Sequence, residues 1–215
     1  MSPRRAAILR DGGGDRSLRE HLVATAARLI SERGTAGLTV RDIAREAGVA
    51  DGVLYNHFAG KEELLATALQ AHVHEVMAAA GEPPAAGEGT VEENLRVFVD
   101  RGLAVLARLL PAFAGLLGQP KVLVLFHGPG FHPDDGGGAL RAVLAGYLRA
   151  EQELGRIAAD ASTEAAATMI MGACHELILP RVFAPGPQEP MTVRPGFTGD
   201  LVTTVLRGIA PVPER

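Results

Sequence analysis

Nine residues constrain this chain more than any others: Thr39-Val40-Arg41-Asp42-Ile43-Ala44, then Ala47-Gly48-Val49. A threonine followed three residues later by an acid is the signature of a helix start, because each side chain satisfies a backbone amide of the other. Val40, Ile43, Ala44 and Ala47 then recur at helical spacing, and Gly48 stands where a left-handed residue ends a helix. A complete helix thus begins and ends within ten residues. It is too short to persist alone, so it must pack on its neighbours.

Those neighbours read as helices too. Ser17-Leu18-Arg19-Glu20 has the same capping pattern, and Leu18, Leu22, Ala26, Leu29 and Ile30 form one apolar face, ended by Gly34 and Gly37. A third short helix is expected from about Asp51 to His57, with Val53, Leu54 and Phe58 turned inward. A longer one starts at Lys61-Glu62-Glu63-Leu64-Leu65 and runs to about Ala80. After the Pro/Gly-containing stretch 81–89, helical patterns return over about 90–109, 111–117, 121–126, 139–155, 163–182 and 196–209. A Gly/Pro-rich piece at 127–138 precedes the last three, and another at 185–195 separates the last two. No long stretch alternates with period two. Aromatic residues are scarce and β-branched content is modest beside the abundance of Ala and Leu, and the fold class expected is all-α.

Composition narrows the function. Residues 1–61 carry a net charge of +3 and residues 62–215 a net of −7, a basic portion on an acidic body that suits local nucleic-acid contact. The single cysteine, Cys174, cannot form an intramolecular disulfide. The early arginines precede no apolar run with a cleavage site, so no secretory signal is read and the expected location is cytoplasmic. The longest strongly apolar run, Val122–Phe126, is too short for a membrane span. With four serines and no G-x-S-x-G, a serine hydrolase finds no support. His72 and His74 point apart on one helix and Cys174-His175-Glu176 cannot converge on one ion, so neither a metal nor a cofactor is expected.

Leu38-Thr39-Val40-Arg41-Asp42-Ile43-Ala44, Ala47-Gly48-Val49, Leu54-Tyr55-Asn56-His57-Phe58 and Lys61-Glu62-Glu63-Leu64-Leu65 together resemble the tetracycline-repressor (TetR) family over about residues 17–70. The resemblance implies a dimeric transcriptional regulator, usually a repressor, whose helical C-terminal domain binds a small ligand. The organisation expected is a flexible arm over 1–16, a DNA-binding domain over 17–65 with its helix-turn-helix at 39–58, and a ligand-binding and dimerisation domain over 66–215. The partners expected are a double-stranded, palindromic DNA operator, a small hydrophobic or amphipathic effector, and a second copy of the chain. A small all-α ligand carrier or enzyme is the alternative, but it leaves the Arg41–Lys61 constellation without a purpose.

A recognition helix reads base edges with its N-terminal side chains while flanking groups hold phosphates. Asp51, Gly52, Val53 and Asn56 lie near the outward face of the third helix. Asp51 can accept from a cytosine amino group, and Val53 can touch a thymine methyl. The resemblance adds Arg41, on a guanine or a phosphate, and Tyr55, His57 and Lys61 as backbone contacts. Thr39 completes the DNA-binding set. Lys61 stands out independently, because the chain holds nineteen arginines and two lysines. Ala50 replaces the hydroxyl residue common before the recognition helix, and Asp51 brings a negative charge towards DNA.

In the body, Leu103, Phe113, Leu117, Phe126 and Met171 are expected to line an apolar ligand cavity with His175 as a polar anchor, although such a stripe equally suits a core. The dimer interface is expected on the last two helices, through Ile170, Cys174, Leu177 and Ile178, and Leu201, Val202, Val205, Leu206 and Ile209.

Overall fold

A computed structural model describes residues 14–128, 137–182 and 192–209. Every regular element among them is helical: α1 (Gly14–Arg33), α2 (Val40–Ala47), α3 (Asp51–His57), α4 (Lys61–Ala79), α5 (Val91–Ala114), a 3₁₀ turn (Gly115–Gly118), α6 (Pro120–Phe126), α7 (Gly137–Glu153), α8 (Thr163–Val182) and α9 (Phe197–Ile209). The expected all-α class is what the chain adopts. No helix among the described residues is long and apolar enough to cross a membrane.

The local signals succeed to different degrees. Thr39 caps α2: its hydroxyl accepts the Asp42 N–H at 3.1 Å, and Asp42 returns the bond to the Thr39 N–H at 3.1 Å. Gly48 ends α2 with φ +70°, donating its N–H to the Ala44 and Arg45 carbonyls. Ser17 caps nothing, because α1 already runs from Gly14. The remainder of the expected arm, with Arg4, Arg5 and Arg10, lies outside the described residues. Pro111, read as a break, sits inside α5, which continues to Ala114.

The chain divides into two compact units. One holds Met1–Val76 and Pro111–His132, the other Met77–Leu110 and Pro133–Arg215. Segment 111–132 therefore groups with the N-terminal helices instead of with the C-terminal body to which the sequence reading gave it.

In the first unit, α1 buries Leu22, Ala26, Leu29 and Ile30, α2 buries Ile43, Ala44 and Ala47, and α3 buries Leu54, with Phe58 just beyond it. Arg28 on α1 pairs with Glu46 on α2 at 2.5 Å, and the Arg19 guanidinium stacks 4.8 Å from the Phe58 ring centroid. The turn between α1 and α2 is fastened to the end of α5. Thr35, fully buried, donates its hydroxyl to the Ala112 carbonyl at 3.0 Å. The Gln119 amide donates to the Thr35 carbonyl at 3.1 Å. Gly115 permits this approach, since a Cβ there would collide with the Ala36 backbone nitrogen and the Thr35 hydroxyl.

In the second unit, Leu95, Val99 and Leu106 of α5 share a core with Leu144 and Leu148 of α7, Ile170 and Cys174 of α8, and Val202 of α9. Glu151 on α7 is fully buried, accepts the Gly87 N–H at 3.3 Å and pairs with Arg156 at 3.3 Å. Arg156 in turn donates to the Gly89 carbonyl at 2.6 Å. These bonds hold the stretch before α5 that composition marks as a linker. Burial pushes the Cys174 thiol up to about 12, with Asp100 adding to the shift. It stays protonated and packs as a small hydrophobe.

Two outcomes follow. Gly115→Ala should destabilise the fold by about 1–3 kcal/mol through overpacking against backbone, and Thr35→Val by about 1–3 kcal/mol by orphaning the Ala112 carbonyl. Denaturant unfolding followed by circular dichroism measures both, and wild-type stability in Gly115→Ala would refute the close approach. The second concerns the α2 cap. Hydrogen bonds from the Thr39 hydroxyl and backbone N–H hold the Asp42 carboxyl below its ordinary value. A depressed folded-state pKa stabilises above the unfolded value and loses that contribution as pH falls through the folded one. Thr39→Ala should therefore weaken the protein at neutral pH, and the difference from wild type should shrink as Asp42 is protonated.

Candidate nucleic-acid interface

Helices α2 and α3 each have one buried face, so their remaining residues form a shared exposed surface. On α3 the buried position is Leu54, while Asp51, Gly52, Tyr55 and Asn56 are exposed and Val53 and His57 are half-buried. Tyr55 is 62% exposed, so its ring is not part of the core. A Cβ on Gly52 would meet no atom within 4 Å. The chain's own packing therefore does not require a glycine there, whereas a partner brought close to the backbone would.

Arg41, in the first turn of α2, has a side chain 88% exposed and places Nε 3.4 Å from Asp51 Oδ2, in the first turn of α3. Thr39 is exposed, but its hydroxyl also donates to Asp42 Oδ2 at 2.5 Å, so its first role is the cap. Ala50, at the N-cap of α3, makes no side-chain bond to the helix, as its methyl requires. Lys61 is half-buried at the start of α4. That start is anchored by Glu63, which accepts the Ala59 N–H at 2.7 Å. The nine residues expected from sequence thus lie on the first turn of α2 with its cap, on six of the seven positions of α3 and at the first position of α4.

The residues expected to line a ligand cavity do not gather in one unit. Phe113 and Phe126 belong to the first, with ring centroids 5.2 Å apart in an edge-to-face pair. Leu103, Met171 and His175 belong to the second, where Leu103 and Met171 are buried. His175 donates Nδ1–H to the Met171 carbonyl of its own helix at 2.7 Å. The Leu117 side chain lies outside those described.

A groove that the sequence did not suggest opens elsewhere in the first unit. It measures about 590 Å³ and runs between the start of α4 (Ala59, Gly60, Glu62, Glu63) and α6 (Pro120, Lys121, Val124, Leu125). Helix α6 is apolar on nearly every side yet buries only Val122 and Phe126, leaving Val124 72% and Leu125 45% exposed. Leu125 forms part of the groove wall. The unbroken apolar run in a seven-residue helix was the available signal, because such a helix cannot bury every side.

The residues expected at a dimer surface differ in burial. Ile170, Cys174, Ile178, Val202 and Val205 lie within the core of their own unit, Leu177, Leu201 and Leu206 are half-buried, and the Ile209 side chain lies outside those described. The face of α8 turned away from that core carries Ala165, Thr168, Met169, Gly172 and Leu179, with Met169 53% and Leu179 43% exposed. Among the described residues, no three His, Cys, Asp or Glu side chains stand close enough to hold a metal ion.

Residues 22–68 match the family model described as bacterial regulatory proteins, tetR family. The HTH-type transcriptional repressor KstR2 of Mycobacterium tuberculosis is 48% identical over 56 residues, which is 26% of this chain and 28% of that one. The match thus spans little more than a quarter of the length of that relative. A TetR family transcriptional regulator from Pseudomonas syringae superposes with a TM-score of 0.63 at 19% identity, covering 90% of this chain and 97% of that one. The transcriptional regulator FadR of Bacillus subtilis, solved with stearoyl-CoA, gives 0.57 at 21% identity over 88% and 98%. These structures share the fold over nearly the whole chain, and the sequence match falls on the helix-turn-helix: over residues 22–68 the chain is similar to the tetR family of bacterial regulatory proteins.

Proposed function

We propose that the protein is a transcriptional repressor that binds a palindromic operator as a homodimer and releases it on binding a small hydrophobic or amphipathic molecule. One observation carries the DNA-binding half: α3 exposes Asp51, Gly52, Tyr55 and Asn56 together, with Arg41 beside Asp51. Val53 and Asn56 face bases on this reading, while Tyr55, His57 and Lys61 hold phosphates. The match to KstR2, named as a repressor and not as an enzyme, supports the same reading.

The effector half rests on different features. A cavity among Leu103, Phe113, Leu117, Phe126, Met171 and His175 has less in its favour than the groove between α4 and α6, whose volume of about 590 Å³ lies in the range of small-molecule sites. A molecule seated there touches Gly60 and Glu62, the immediate neighbours of Lys61, and so acts on the end of the reading surface. The stearoyl-CoA held by a protein of the same fold supports an apolar effector class. Dimerisation is assigned to the outward face of α8, where the small residues Ala165, Thr168 and Gly172 surround Met169, together with the half-buried Leu201 and Leu206 of α9.

Selection of bound duplexes from a random pool tests the DNA-binding reading directly. Lys61→Ala should then weaken binding to every duplex alike and reduce the salt dependence by about one ion. Unchanged affinity and salt slope would remove Lys61 from the interface. Met169→Glu should give monomers in sedimentation, with loss of operator affinity but an intact far-ultraviolet spectrum. Val205→Glu should instead unfold the chain, because Val205 is core. A Met169→Glu protein that stays dimeric overturns the α8 assignment.

A further inference from the structure

The pairing of Arg41 with Asp51 is the feature of the reading surface that general phosphate binding does not explain. A carboxylate at the tip of a DNA-reading helix repels phosphates and weakens sequence-independent attraction. Here it also occupies the Nε edge of the exposed arginine nearest to it, 3.4 Å away. An exposed ion pair of this kind contributes little to stability, so its presence calls for a role outside the folding of the chain.

The chemistry of the pair supplies one. An arginine engaged at Nε keeps its terminal N–H groups free to donate, and the Asp51 side chain is itself 55% exposed and able to accept. Donors and an acceptor therefore stand side by side on the surface formed by the first turns of α2 and α3. In the major groove a G·C pair presents the complementary set: the guanine O6 and N7 accept, and the cytosine N4 amino group donates. With A·T in the same orientation, the thymine O4 acceptor and methyl group replace that amino group, and the aspartate would lose its water and gain no partner.

We propose that Asp51 is a specificity-determining residue of the DNA interface, fixing Arg41 so that the two side chains together select a G·C pair in each operator half-site. This rests on the DNA-binding reading given above and adds the base that the interface selects. Asp51 acts in two ways: it accepts from cytosine, and it withholds Arg41 from phosphates until the correct base is present. Removing it should therefore raise affinity for unrelated DNA while lowering discrimination, a combination that a purely structural residue would not produce.

The test uses the intact protein and a duplex obtained by selection. Affinities of wild type, Asp51→Asn, Asp51→Ala and Arg41→Ala are measured at several salt concentrations. The duplexes are the selected one, variants with each half-site G·C pair changed to A·T, and an unrelated sequence. For wild type, one G·C position should cost about tenfold or more when changed. For Asp51→Asn that loss should fall below about threefold, binding to the unrelated duplex should tighten, and the salt slope should steepen by about one ion as Arg41 reaches a phosphate. Arg41→Ala should lose the same base preference without the gain on unrelated DNA. The proposal is overturned if both Asp51 variants keep the wild-type preference at every G·C pair, or if they bind all duplexes more tightly by one common factor. Should wild type select no duplex at all, the DNA-binding reading itself fails, a result distinct from either. Circular dichroism of the variants confirms that these exposed changes leave the fold intact.

Discussion

Everything at the reading surface depends on the burial of one face of two helices too short to exist alone. Helix α2 has eight residues and α3 seven, well below the length at which an isolated helix persists in water. Their order comes from Ile43, Ala44, Ala47, Leu54 and Phe58, packed in the same unit as Leu22, Ala26 and Leu29 of α1. Because these residues must turn inward, the positions between them must turn outward. Arg41, Asp51, Tyr55 and Asn56 are presented to solvent as a geometric consequence of core packing.

That core is extended by a contact that lies far away in sequence. Thr35 and Gly115 bring the α1–α2 turn against the end of α5, and Gln119 bonds the same turn from the residue before α6. Helices α2 and α3 and the segment around α6 thus share one unit. The groove beside α6 lies next to the start of α4, so a molecule bound there and a phosphate on Lys61 would act on neighbouring residues. Linkage between two such sites requires differential contact in two states, and their adjacency gives it a short physical route.

The opposite situation holds in the C-terminal unit. Its apolar residues at helical spacing were expected to serve a cavity and a dimer interface, yet Ile170, Cys174, Ile178, Val202 and Val205 are all core. An apolar stripe reports only that a helix face leaves water, not whether its partner is the same chain, a ligand or a second copy. The exposed α8 face was missed because Ala165, Thr168 and Gly172 contribute almost nothing to hydrophobic periodicity. Small residues are what close helix approach favours, and they are quiet in a hydropathy pattern.

Helix-turn-helix placement was legible from residues alone because its signals act over three to five positions. Thr39 with Asp42, Gly48 in the left-handed region, and Leu54 with Phe58 are decided by backbone amides and carbonyls one turn away. The same locality misled at Ser17, where a capping pair sits inside a longer helix, and at Pro111, where packing carried α5 through a residue that costs it a hydrogen bond. The Arg41–Asp51 pair, the approach of Gly115 to Ala36 and the grouping of 111–132 with the N-terminal helices join residues ten to more than seventy positions apart. Such contacts follow from which helix faces meet, and only the assembled fold brings those faces together.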